Sequence, residues 1–150
     1  MPNAKPEDSP PKRHQLKFRQ LRGPYAIVRL APDAPVPEWA TRGDFTSITR
    51  TTDELSIVCP ADKLPAKANS PEHWICLKLE GPFPFWLTGV LLSFIEPLSD
   101  KGIPIFAIST YDTDYVLVQE EFAGATQQAL AAVGHELISS DGESWGSFIE

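Results

Sequence analysis

Residues 87–119 restrict the possible folds more than any other part of this chain. Leu87, Val90, Leu91, Phe94, Ile95 and Leu98 recur at the spacing of a single helix face. The Thr88 hydroxyl stands where it can cap the start of that helix. Lys101 in the last turn and Gly102 after it are stop signals. Pro97 falls inside the pattern, and its missing N–H predicts a kink or an early end. From Ile103 to Thr110 the chain is apolar at odd and even positions alike, the pattern of a strand covered on both faces. Tyr115 to Gln119 reads as a second strand, and Tyr111, Asp112, Thr113 and Asp114 between them are turn-forming. The segment is therefore expected to be a helix feeding an antiparallel hairpin.

Around this segment the chain divides into four parts. Residues 1–22 hold prolines and scattered charges and are expected to be a flexible tail. Residues 23–70 form a first unit: strands at Tyr25–Leu30, Phe45–Arg50 and Leu55–Cys59, short helical turns at 38–41 and 60–65, and a linker from Lys67 to Glu72. Residues 71–139 form a second unit. It opens with a strand at Trp74–Glu80 and an aromatic loop whose Phe83, Phe85 and Trp86 are expected in core or interface packing. After the hairpin, Phe122, Thr126, Leu130 and Val133 mark a second helix stopped by Gly134, and His135–Ile138 is a last strand. Residues 140–150 are a polar, acidic tail.

The second unit thus runs βαββαβ, the ferredoxin-like order of an antiparallel sheet with helices on one face. The first unit repeats it in part. Ala26, Val28, Arg29 and Leu30 match Ile75, Leu77, Lys78 and Leu79 at one offset. Ile48, Thr49, Leu55, Ile57 and Val58 match Ile108, Ser109, Tyr115, Leu117 and Val118 at a longer one, the difference being the extra length of the second unit's first helix. The fold class is α+β, in tandem ferredoxin-like units.

Composition excludes several functions. A net charge of −7 over 150 residues, with no basic stripe, argues against a nucleic-acid surface. No apolar run reaches the ~18 residues of a membrane span, so no membrane partner is expected. The N-terminus lacks the apolar core of a secretory signal, and Cys59 and Cys76 read as buried thiols, so a cytoplasmic location is expected. His14, His73 and His135 lie far apart, with no spacing for a metal site or a catalytic triad, and no cofactor fingerprint is present.

The chemistry with most promise lies at the start of the predicted helix. Its first turn offers unpaired N–H groups and the positive dipole end, a seat for a carboxylate, and Gly89 leaves room for close approach. Opposite it, Ile108 and Ser109 present backbone groups, and Asp112 or Asp114 is suited to an ammonium. The bland alternatives are a plain helix-start glycine, turn-forming aspartates and a strand that ends at Ser109 and Thr110.

The stretch from Thr88 to Leu91, with Gly102 to Val118, resembles the ACT domain. It is similar to paired ACT repeats in small bacterial proteins related to aspartokinase regulatory regions, and to CASTOR-type arginine sensors. The resemblance spans about residues 25–138, and the short helices of the first unit depart from the usual pattern. It implies tandem ACT units, no catalysis, and a small ligand, usually an amino acid, held between units. Carried over, the loop is Trp86, Leu87, Thr88, Gly89 and Val90 and the strand is Ala107 to Thr110, with Ile108, Ser109 and Thr110 as its ligand residues. The expected protein is a regulatory sensor of an amino acid. A dimerisation or partner-binding module without ligand is the alternative, and a small enzyme on the same fold comes last.

Overall fold

A computed structural model describes residues 13–68, 72–84 and 86–138. Residues 1–12, 69–71 and 139–150, including all of the acidic tail, lie outside it, as does Phe85. The described residues build one eight-stranded sheet with two α-helices.

The first half supplies β2 (Tyr25–Leu30), β3 (Ser47–Arg50) and β4 (Leu55–Pro60), with β4 in the middle. The second supplies β5 (Trp74–Leu79), β6 (Phe106–Ser109) and β7 (Asp114–Gln119), with β7 in the middle. The two triplets share one arrangement, and both hairpins close over four residues, Arg50 facing Leu55 and Ser109 facing Asp114. Val28 faces Ile57 as Leu77 faces Val116. That register puts the structural repeat one residue away from the match read in the sequence, which had set Ile57 on Leu117. The difference matters because a one-residue slip in a strand exchanges its two faces.

Only the second half carries α-helices among the described residues. Helices α1 (Val90–Asp100) and α2 (Ala123–Ala132) bury Phe94, Leu98, Ala129 and Leu130 against Ile75, Leu77, Leu79, Val116 and Val118 on one sheet face. In the first half a one-turn 3-10 helix, Glu38–Thr41, takes the place of an α-helix, and Trp39 and Ala40 cover Leu55, Ile57 and Cys59. Alternate side chains of both halves meet in a shared core, Tyr25, Phe45 and Val58 with Cys76 and Leu117. Phe45 stacks on Tyr115 there at 4.0 Å between ring centroids. Both cysteines are buried and free, as expected.

Four expectations are corrected. Residues 17–20, read as tail, form β1 (Lys17–Gln20), which pairs antiparallel with β5 and parallel with the short closing strand β8 (Glu136–Leu137). Leu16 and Phe18 alternate with Gln15, Lys17 and Arg19, a period of two that is too short to stand out until Leu77 and Leu79 offer it a sheet edge. β1 thereby lies between β5 and β8. Second, β6 is not covered on both faces. Among the described residues it pairs only with β7, and Ala107 and Ser109 are exposed. Third, Thr88 does not cap α1: Gly89 is the cap residue, in the left-handed region at φ 82°, with no side-chain bond to the helix start. Leu87 accordingly precedes the helix. Fourth, Pro97 does not bring α1 to an early end: the helix runs on to Asp100. Val133 likewise falls beyond α2 and is exposed.

Candidate functional site

The loop from Gly81 to Gly89 joins β5 to α1 and lies against the β6–β7 turn. Three features fasten the two together. Phe83 N–H donates to the Asp112 carbonyl at 3.0 Å. The buried Thr113 hydroxyl donates to the Leu79 carbonyl at 2.8 Å, which ties the turn to the end of β5. Gly81 comes so close that a Cβ there would stand 2.9 Å from the Asp112 carbonyl oxygen. Within the turn, Thr110 N–H donates to the Thr113 carbonyl at 2.8 Å.

Between loop, helix start and turn lies a cleft of about 350 Å³. Of the residues singled out in the sequence, it brings together Leu87, Gly89, Val90, Ser109, Thr110, Asp112 and Asp114. Trp86, Thr88 and Ile108 do not line it. Phe83, Leu92, Tyr111 and Thr113 do, and the sequence reading omitted them. Tyr111 and Thr113 sit among residues already named, so taking the whole turn would have included them. Phe83 is a long-range neighbour whose place depends on the bond to Asp112.

The electrostatics follow from the local backbone. Ser93 N–H is the first in α1 to find a helical acceptor, the Gly89 carbonyl at 2.9 Å. By position, the N–H groups of Val90, Leu91 and Leu92 precede any intrahelical acceptor, and no side chain caps them. They form the positive end of the helix dipole beside the cleft. The turn contributes two carboxylates. Asp114 accepts a short hydrogen bond from the Ser109 hydroxyl, so both groups are partly engaged. Asp112 is exposed. Burial raises the Tyr115 phenol, and the Cys76 thiol and the Asp112 carboxylate add to the shift. Among the described residues, no lysine, arginine or histidine lines the cleft. Its mouth is apolar: Leu87, Leu92 and Tyr111 line it and are exposed, Tyr111 to 79%, and Trp86, next to Leu87 in the chain, is 63% exposed.

Among the described residues no group of three or more His, Cys, Asp or Glu is placed to hold a metal ion. No helix among the described residues is long and apolar enough to cross a membrane. His135, dismissed in the sequence reading, is a buried support behind the site: Nε2 bonds the Ser93 carbonyl at 2.8 Å and Nδ1 takes the Leu16 N–H at 3.0 Å.

Comparisons with known proteins bear on both halves. A family model described as ACT domain matches residues 69–132, and another, described as an N-terminal domain, matches residues 23–67. The chain is similar to the human protein named putative protein CASTOR3P, 33% identical over 92 residues. That match takes in 52% of this chain and spans little more than half, 56%, of the human relative. A protein of known crystal structure from Agrobacterium tumefaciens is 44% identical, with a TM-score of 0.79, over 87% of this chain and 98% of that one. A Vibrio cholerae protein of unknown function, titled a possible transport protein, superposes with a TM-score of 0.64 at 20% identity, over 81% of this chain and 91% of that one. The last likeness concerns the fold alone.

Proposed function

The chain belongs to the ACT-domain family, and on that premise we propose that it is a non-enzymatic regulatory sensor whose cleft at the start of α1 binds a free amino acid. The observation that carries this reading is the make-up of the cleft. The uncapped start of α1, with N–H groups for a carboxylate, and the turn bearing Asp112 and Asp114, with acceptors for an ammonium, border one space. The α-carboxylate sits at Val90 to Leu92, and the ammonium lies toward Asp112, since Asp114 already holds the Ser109 hydroxyl. The ligand side chain extends over Phe83 and Leu87 toward the apolar mouth. With no cationic residue lining the cleft, acidic amino acids are the poorest fit. A second copy or a regulated partner covers the mouth, and the ligand acts by favouring one arrangement of the units over another.

A scan of the twenty amino acids for thermal stabilisation tests this. A ligand at 100 times its dissociation constant stabilises by about 2.7 kcal/mol, a plain rise in melting temperature. If all twenty leave the transition unmoved, the sensor reading fails.

One observation favours a second reading, an interaction module without ligand. Trp86, Leu87, Leu92 and Tyr111 expose apolar surface near the unpaired edge of β6. Sedimentation of the ligand-free chain as a dimer, with no response to amino acids, is the outcome that selects it.

A further inference from the structure

We propose that His14 is a positioning residue for the cleft, holding the Thr88–Gly89 peptide so that the start of α1 keeps its N–H groups turned to the ligand. This rests on the ligand reading above only for its effect on affinity; the effect on the peptide stands without it.

The segment before β1 crosses the back of α1 and is bonded to it at successive points. His14 Nε2 lies 2.9 Å from the Thr88 carbonyl oxygen. His14 N–H donates to the Ser93 hydroxyl at 2.9 Å, and that hydroxyl donates to the Gly89 carbonyl at 2.6 Å. Arg13 pairs with Glu96 at 3.0 Å one turn further along. None of Arg13, His14, Ser93 and Glu96 lines the ligand cleft; they line a separate cavity together with His135.

Peptide planarity turns these contacts into control of the other side. In a trans peptide the carbonyl and the following N–H point in opposite directions. A bond that fixes the Thr88 carbonyl toward His14 therefore fixes the Gly89 N–H away from it. The Ser93 hydroxyl and N–H, both on the Gly89 carbonyl, do the same for the Val90 N–H. Such control is needed at this place. Gly89 takes φ 82°, and a glycine moves between positive and negative φ at little cost. Without an outside bond the Thr88–Gly89 peptide has a second orientation within reach, and the helix start loses its preset geometry.

The test uses His14→Ala and His14→Gln in the full chain, since a Gln side-chain N–H can replace the imidazole donor. The first readout is the amide NMR spectrum without ligand. In His14→Ala the Gly89 and Val90 amide peaks broaden or split while those of β5 and β7 stay in place, and His14→Gln restores single peaks. Unchanged Gly89 and Val90 peaks in His14→Ala overturn the proposal. The second readout is titration with each of the twenty amino acids. For any that binds the wild type, affinity falls roughly fivefold in His14→Ala with an unchanged melting temperature, and Gln recovers most of it. Equal affinity in His14→Ala also overturns the proposal. If none of the twenty binds the wild type, the ligand reading has failed, and the amide peaks alone still decide the role of His14.

Discussion

His135 Nε2 donates a 2.8 Å hydrogen bond to the Ser93 carbonyl. That acceptor sits four residues before Pro97, so it has no helical N–H to receive. Nδ1 accepts the Leu16 N–H, which assigns the ring proton to Nε2. The imidazole thus closes the gap that Pro97 opens and fastens β1 to α1 in the same step. This is why the helix survives its proline.

His135→Phe leaves a buried carbonyl and a buried N–H without partners while keeping the ring contact with Phe94. The expected loss is about 2–4 kcal/mol by urea unfolding. Pro97→Ala supplies the missing N–H, so in the His135→Phe background it recovers about 1 kcal/mol more than in the wild type. A cycle with no coupling between positions 97 and 135 would remove this explanation.

Gly89→Ala is expected to cost about 1–2 kcal/mol in a thermal or urea melt, because a Cβ at φ 82° meets the following carbonyl. A Gly89→Ala variant as stable as the wild type would show that the turn adopts another conformation.

What could be read from the sequence tracks how local each feature is. Val90, Phe94 and Leu98 are buried in the structure because their spacing defines one face of α1 within a few residues. β5 and β7 were equally plain, as dense apolar runs ended by Gly81 and Glu120. Most of the cleft was legible for the same reason, since residues 87–90 and 109–114 are two short contiguous stretches. β1 was not: Phe18 acquires meaning only through pairing with Leu79, and Leu16 only through the core it joins. Nor was β6 as an edge, because an apolar run does not say how many neighbours a strand has. The parts played by His14 and His135 arise from contacts 74 and 42 residues apart in sequence, which no local pattern reports.

Burial pushes the Cys59 thiol from 9.0 up to about 11, with Asp62 adding to the shift. A folded-state value above the unfolded one means that the unfolded chain loses this proton first. The associated stability is fully present below pH 9 and is lost as pH rises through about 11. Urea melts at pH 8 and pH 10 should show that decline, and Cys59→Val should lessen it. An identical decline in Cys59→Val would assign it to other groups.

Asp112 offers a clean test of the ammonium contact. Its backbone carbonyl holds Phe83, while its side chain is exposed. Asp112→Asn should leave the melting temperature where it is and weaken amino-acid binding about fivefold or more by titration calorimetry. Asp114→Asn should weaken binding less, because that carboxylate is shared with Ser109. The reverse order would move the ammonium to Asp114.

The central claim is that a free amino acid occupies the cleft between the start of α1 and the β6–β7 turn. Amide NMR, with each of the twenty amino acids added to the isotope-labelled chain, reads that space directly. The account predicts that at least one shifts the amides of Val90, Leu91 and Leu92 together with those of Tyr111 to Asp114, saturably, while the first-half strands β3 and β4 stay still. Saturating amounts of all twenty that leave both stretches unmoved, or a response confined to the first half, would contradict it.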